Sequence, residues 1–361
     1  MSERMKGRGT PMRVDARYLE YSREAADDGW ERPEPERRVQ TRVTAEHPRT
    51  IITRNRSPDI PFEASINPYR GCEHGCIYCY ARPTHAYLDL SPGIDFESRL
   101  FAKPDAAALL RHELSRPGYR CTPIALGANT DPYQPIEREW RITRSIIEVL
   151  AACNHPLTIV TKSWLVERDL DLLAPMAERG LVKVYVSVTG MDRSLARVLE
   201  PRASPPERRI QTLARLHEAG VPAGVLFAPV IPFINDQFLE AVLEACADAG
   251  AESAGYVVLR LPLEINQLFR DWLETHYPLK ARRVMHAIQD LRDGRDNDAA
   301  FFSRQRGTGA FAALLRARFE KAGRRLGFES DDRMLDTTRF RAPVEGPRQR
   351  GLFDEPEDAG G

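Results

Sequence analysis

Six short apolar runs alternate with amphipathic stretches between residues 64 and 260, and this alternation leaves the chain few architectures. The runs at 64–67, 123–128, 157–161, 182–188, 223–228 and 255–260 have the length and apolar content of buried strands. The stretches at 105–114, 143–152, 167–177, 205–219 and 236–249 carry apolar residues at helical spacing. Strands separated by helices must run parallel, because each connection crosses back over one face of the sheet. The expected fold class is therefore α/β, either an open doubly wound sheet or a partial (β/α)6 barrel. In both, functional residues belong at the C-terminal ends of strands and in the loops that follow. The helix near residue 205 has the clearest start, with Ser204 as N-cap, Pro205 in the first turn and Glu207 three residues after the cap.

Past residue 260 the pattern is purely helical, and stretches at 277–292 and 309–326 are expected to pack on the barrel. The expected division is a disordered N-terminal arm at 1–47, the α/β unit at 48–275, a helical extension at 276–335 and a disordered tail at 336–361. With 42% apolar residues the chain is globular, and 52 basic residues balance 52 acidic ones, so any attraction to nucleic acid must be local. No run reaches the ~18 apolar residues of a membrane span. Residues 1–13 are polar and Arg-rich with no hydrophobic signal segment, so no membrane partner and a cytoplasmic location are expected.

Three of the six cysteines fall within eight residues, directly after the first strand run, in Asn67-Pro68-Tyr69-Arg70-Gly71-Cys72-Glu73-His74-Gly75-Cys76-Ile77-Tyr78-Cys79-Tyr80. Cys121, Cys153 and Cys246 are scattered among apolar neighbours, unlike a disulfide framework. A cubane iron–sulfur cluster has four iron corners. Three thiolates on one loop hold three of them and leave the fourth to a chelating small molecule. Gly71 and Gly75 let the backbone wrap closely, while Arg70 and Arg82 add positive charge that favours thiolates. Two other readings stay open. One is a zinc knot with His74 or His85 as fourth ligand, although structural zinc sites usually pair ligands from two segments. The other is a one-electron carrier whose fourth ligand is Cys121 or Cys153. Either would make the chain a metal-stabilised binding module.

The spacing Cys72-x3-Cys76-x2-Cys79, with aromatic Tyr78 before the last cysteine, resembles the signature of the radical S-adenosylmethionine (SAM) superfamily. The resemblance implies a 4Fe–4S cluster on Cys72, Cys76 and Cys79, with SAM chelating the fourth iron through its amino and carboxylate groups. It further implies reductive cleavage of SAM to a 5′-deoxyadenosyl radical, hydrogen abstraction from a substrate, and a one-electron donor such as flavodoxin or ferredoxin. Residues 51–341 are similar to an uncharacterised bacterial subgroup related to spore photoproduct lyase.

Many superfamily members carry a Gly-Gly-Glu after the second strand that receives the SAM amino group. This chain has Gly127-Ala128-Asn129-Thr130-Asp131 there, and Asn129, Thr130 and Asp131 can each accept a hydrogen bond from an ammonium. An Asx turn before Pro132 is the competing reading. Lys162 and Ser187, at the third and fourth strand ends, match positions that contact SAM in photoproduct-lyase-like relatives. This implies Lys162 for the carboxylate, Ser187 for the ribose or carboxylate, and Tyr78 beside the cofactor. Arg202, in Glu200-Pro201-Arg202, offers a planar fork for a carboxylate, against a surface salt bridge made by Glu200. Val230 and Ile231 offer an apolar face for adenine or plain core packing. The relative's hydrogen-donating cysteine is replaced by Ala128, so neither catalytic residues nor substrate carry over.

Two features point toward nucleic acid. Residues 301–325 hold Arg304, Arg306, Arg316, Arg318, Lys321, Arg324 and Arg325 against the single acid Glu320. The plainer reading is an amphipathic surface helix with Phe311, Leu314, Leu315, Phe319 and Leu326 inward. In the tail, Gln349-Arg350-Gly351-Leu352-Phe353 resembles the peptide by which bacterial repair proteins dock on the replication sliding clamp.

Overall fold

The computed structural model describes residues 7–10, 14–18, 39–328 and 334–343. Its frame is a run of six parallel strands: β1 (Ala64–Ile66), β2 (Ile124–Leu126), β3 (Leu157–Thr161), β4 (Val182–Ser187), β5 (Ala223–Val230) and β6 (Ser253–Val258). They pair in sequence order, and Thr53–Arg54 adds an antiparallel edge beside β1. The edges formed by Thr53–Arg54 and β6 do not pair with each other, so the fold is a partial (β/α)6 barrel.

Helices α1 (Ala106–Leu114), α2 (Ile142–Ala152), α3 (Leu170–Glu178), α4 (Pro206–Glu218) and α5 (Leu239–Asp248) make the crossovers. Their buried faces include Leu110 and Leu114 of α1, Ile146 and Leu150 of α2, and Leu213 and Leu216 of α4. These meet the fully buried strand residues Val184, Val186, Val225 and Phe227 in one core.

The longer C-terminal helices are α6 (Ile265–His276), α7 (Pro278–Asp290) and α8 (Gly309–Leu326), with a single turn at Ser303–Arg306 before the last. Helix α6 buries Ile265, Leu268, Phe269, Trp272 and Leu273, an unbroken helical stripe. Helix α8 lies along α5, where Arg318 pairs with Glu240 at 2.6 Å and Arg325 with Glu244 at 2.5 Å. Two of the candidate phosphate-binding arginines are thus neutralised within the fold, and Leu314, expected inward, is 56% exposed.

Other sequence expectations shift. Ser204 does not cap α4: its hydroxyl accepts from the Trp164 N–H at 3.0 Å, and its carbonyl accepts from Arg209 Nε at 2.6 Å. The N-cap is Pro205, with no side-chain bond. Within the stretch expected as an arm, Arg42–Ala45 forms a strand parallel to Arg99–Ala102, which pairs on its other side with Tyr69–Arg70. Within the expected tail, the Asp336 N–H donates to Gly180 O at 3.0 Å and the Arg341 N–H to Cys153 O at 2.9 Å. Residues 349–353, the candidate clamp peptide, lie outside the described residues. No helix among the described residues is long and apolar enough to cross a membrane.

Candidate radical site at the strand ends

The cysteine loop leaves β1 and turns back under its own backbone. Gly71 and Gly75 hold φ of +75° and +68°. A Cβ on Gly71 would fall 2.5 Å from Leu100 Cδ2, so only glycine fits there. The Cys72 N–H donates to Phe96 O at 2.9 Å, Cys79 N–H to Cys76 O at 3.2 Å and Ile77 N–H to Leu199 O at 3.1 Å. Arg82 clamps the loop from beneath: it is fully buried and donates to Cys76 O at 2.9 Å, Gly75 O at 3.1 Å and Gly93 O at 2.9 Å. Glu97 balances its charge at 2.5 Å. The second Glu97 oxygen accepts the Gly9 N–H at 2.9 Å, and a Cβ on Gly9 would fall 1.7 Å from Gly75 O, so an N-terminal segment is strapped against the loop.

The thiols are close enough to repel one another as thiolates, Cys72 with both Cys76 and Cys79, and Cys76 with Cys79. Burial raises all three, Cys76 to about 12, so thiolates here require a cation. Backbone N–H groups already favour that form, from Asp131 to the Cys72 sulfur and from Ala81 and Arg82 to the Cys79 sulfur. Among the described residues no three His, Cys, Asp or Glu side chains are arranged to hold a single metal ion. The donor set fits a cluster, in which each thiolate takes its own iron corner, better than a zinc knot. Neither histidine joins it. His74 Nδ1 lies 3.3 Å from Asp131, and His85 Nε2 lies 3.0 Å from the Arg99 carbonyl.

The strand ends bring most of the SAM candidates to this loop, with unequal freedom. Asp131 accepts from Thr161 Oγ1 at 2.7 Å, from the Lys162 N–H at 2.7 Å and from the Tyr133 N–H at 2.9 Å. Burial pushes its carboxyl up, but His74 and these hydrogen bonds outweigh burial and hold it at about 2. It is a tie between loops, and its bond to the Tyr133 N–H is the Asx turn. Thr130 donates its hydroxyl to Tyr69 O at 2.9 Å and is buried. Asn129 is exposed, and its backbone N–H is fixed by Asn67 Oδ1 at 3.0 Å.

The Lys162 ammonium lies 5.8 Å from the Tyr78 ring centroid. Burial lowers its pKa, but the charges of Cys76, Glu200 and Asp131 outweigh burial and raise it. Tyr78 donates its hydroxyl to Glu200. Arg202 pairs with Glu73 at 3.1 Å and remains 35% exposed. Ser187 is buried at the end of β4. Val230 and Ile231 are both fully buried in core clusters, which favours packing.

Sequence reasoning missed the support beneath these residues. Glu200 forms no surface bridge: both it and Arg209 are buried, paired with each other, and Arg209 also donates to Ser187 O at 3.0 Å. The signal was present, since Arg209 sits on the same helical stripe as Leu213 and Leu216, where a charge needs a buried partner. Glu97 and Gln134, which receives the Glu73 N–H at 2.9 Å and donates to Gly71 O at 3.1 Å, carried no such signal.

The sequence profile of the radical SAM superfamily matches residues 66–246, half of the chain. The uncharacterized protein Rv2578c of Mycobacterium tuberculosis is 41% identical over 221 residues, 61% of this chain and 65% of that protein. The chain thus spans just under two thirds of that relative. The uncharacterized protein MJ0683 of Methanocaldococcus jannaschii is 27% identical over 59% of this chain and 76% of its own. Among solved structures, spore photoproduct lyase complexed with dinucleoside spore photoproduct superposes with a TM-score of 0.56 at 17% identity, covering 79% of each chain. That similarity is one of fold. With half its length matched by the family profile and a buried three-thiol loop after its first strand, the chain belongs to the radical SAM superfamily, enzymes that use a 4Fe–4S cluster, SAM and an external reductant.

Proposed function

We propose that this chain cleaves SAM reductively at a 4Fe–4S cluster held by Cys72, Cys76 and Cys79. The observation that carries the reading is the single buried loop on which three thiols lie with the Lys162 ammonium in their field. When bound, the cluster and SAM supply an electron and a 5′-deoxyadenosyl radical that takes a hydrogen atom from substrate. The chain's own residues bind and orient. Lys162 meets the SAM carboxylate, its charge kept by Cys76 and Glu200 and its ammonium set over the Tyr78 ring. Asn129 takes the amino group, a role supported by its exposed side chain, while Thr130 and Asp131 shape its loop. Ser187 lies toward the ribose, and Arg202 stands at the rim. The electron comes from a carrier of flavodoxin or ferredoxin type. The cytoplasmic setting, where thiols stay reduced, is part of the same proposal.

The test is anaerobic reconstitution with iron and sulfide, followed by dithionite and SAM. The parent should form 5′-deoxyadenosine. Cys76→Ala should lose both the cluster absorbance and the product. Lys162→Gln should keep the absorbance and weaken SAM binding about tenfold, or about 1.4 kcal/mol. Stoichiometric zinc at the three cysteines with no 5′-deoxyadenosine from any preparation would remove the enzyme reading and leave the metal-stabilised module.

A further inference from the structure

The mouth between the sheet's two edges holds a cation that SAM cleavage leaves unexplained. β6 runs out into Arg260, whose guanidinium lies 5.8 Å from the Tyr80 ring centroid. Tyr80 follows Cys79, and its hydroxyl donates to the Ala128 carbonyl, so this arginine adjoins the cluster loop. Arg260 Nε is buried without a hydrogen-bond partner, and among the described residues the side chain joins no ion pair. Its neighbours are settled. Arg304 forks onto Asp59, with Nε at 2.6 Å and Nη2 at 2.5 Å. Arg292 gives its two terminal nitrogens to the carbonyls of Ser303 and Leu259, both at 2.8 Å, and only its inner Nε stays unbonded. Burial, then the Arg304 charge, push the Arg260 pKa down, and they outweigh the opposing pull of Tyr80, Asp59 and Asp298, none of which pairs with it.

The apolar surface beside this cation is unusual as well. Phe301 and Phe302 are 51% and 63% exposed, and the Arg304 guanidinium lies 4.9 Å from the Phe301 ring centroid. Phe302 holds φ +65°, and its N–H is fixed by Asp59 at 3.0 Å. Leu263, on the loop after Arg260, has φ +52° and is 58% exposed. A left-handed backbone at a bulky residue and an apolar side chain in water both oppose folding, and Phe302 combines the two just before Arg304, whose charge acts on Arg260, which marks a surface kept for contact.

We propose that this mouth is a nucleotide subsite, in which Arg260 takes a phosphate and Phe302 stacks on a base. A guanidinium fork matches phosphate oxygens, and exposed aromatic faces accept any base. A simple carboxylate ligand would leave the aromatic pair unused. The subsite deepens the proposed function by naming the substrate's chemistry. Its test needs neither reductant nor SAM turnover, so its failure is distinct from a failure to form 5′-deoxyadenosine.

Full-length reconstituted protein is titrated with a fluorescein-labelled single strand of about 12 nucleotides, then with unlabelled strand or mononucleotides as competitors. The parent should bind the strand with an affinity that falls as salt rises. Arg260→Gln should weaken binding at least about tenfold and Phe302→Ser about fivefold. Arg215→Gln, exposed on α4 and paired with Glu218, should match the parent. Competition by mononucleotides assigns the phosphate to a free nucleotide, and competition by strand alone assigns it to a polynucleotide. Both outcomes support the subsite. No binding by the parent, or equal binding by parent, Arg260→Gln and Phe302→Ser, overturns it. So does weakened SAM binding in Arg260→Gln with nucleotide binding intact. Should Arg260→Gln fail to fold, the surface variant Phe302→Ser decides alone.

Discussion

His155 is satisfied in one tautomer only. Its Nδ1 lies 2.9 Å from the Pro156 carbonyl and carries the proton, so Nε2, 2.8 Å from the Tyr119 hydroxyl, accepts. The ring is fully buried, and Phe340 packs edge-on with centroids 5.2 Å apart. Burial pushes its pKa from 6.5 down to about 4, because a second proton would bury a charge and set a donor against Tyr119. Between those values the unfolded chain binds more protons than the folded one, so stability rises with pH. The contribution is fully present above about 6.5 and is lost as pH falls toward 4. At most it is about 3 kcal/mol. His85, also lowered to about 4 by burial, acts in the same direction. Thermal melting should therefore be lower at pH 5 than at pH 7.5, with a smaller difference in His155→Gln. Equal pH dependence in parent and variant would remove His155 as a source. At this scale the sequence was a partial guide. The thiols stood out by spacing. Arg82 read as a charge favouring thiolates, and it does lower the Cys79 thiol, but its donors also hold the loop's carbonyls and pair with Glu97, fifteen positions away, beyond any local pattern. Asp131 stood out as an acid at a strand end, but its partners come from the cysteine loop and the β3 end, which only the closed fold brings together.

Helix α4 shows what periodicity reveals and what it hides. Its apolar stripe and limits were legible within a residue or so at each end. The cap was not, because the helix starts one residue later, which puts Pro205 at the N-cap and leaves the Ser204 hydroxyl to accept the Trp164 N–H. The same stripe carries Arg209 inward, where it joins Glu200, the Tyr78 hydroxyl and the Ser187 carbonyl under the SAM candidates. Replacing Arg209 with Met strands the Glu200 charge in the interior, a change that typically costs about 3–5 kcal/mol. The double variant Arg209→Met/Glu200→Gln removes that charge and should recover at least about half of the loss. Denaturant unfolding of the two singles and the double gives the coupling. Additive losses would mean that the pair does not act as a unit. Helix α6 went unassigned within an otherwise helical region, although its stripe is regular, because nothing in the pattern separates a barrel's last element from the extension beyond it.

For the molecule as a whole, six βα units follow from the alternation of short apolar runs with helices, but the way the sheet ends does not. A partial barrel leaves two edges, and here the gap is spanned by an ion pair between Asp59, on the loop before β1, and Arg304, after α7, 245 positions apart. The exposure of the two side chains is only 2% and 13%, so the pair is worth most as a tie that must not be broken on one side. Asp59→Asn leaves the largely buried Arg304 charge without a counter-charge and puts a neutral amide oxygen in place of the carboxylate that accepts the Phe302 N–H. Unfolding free energy should fall by roughly 3 kcal/mol. Faster amide hydrogen exchange should be confined to β6 and the Thr53–Arg54 edge, because the rest of the sheet is tied strand to strand. The mouth gains a positive charge in this variant, so single-strand binding at low salt should hold or strengthen while stability drops. That opposition separates a latch from a ligand contact: a structural tie loses stability without losing anion affinity, whereas a carboxylate that shaped the subsite would lose both. Unchanged melting and unchanged edge exchange in Asp59→Asn would show that the two edges are held by the helical extension alone.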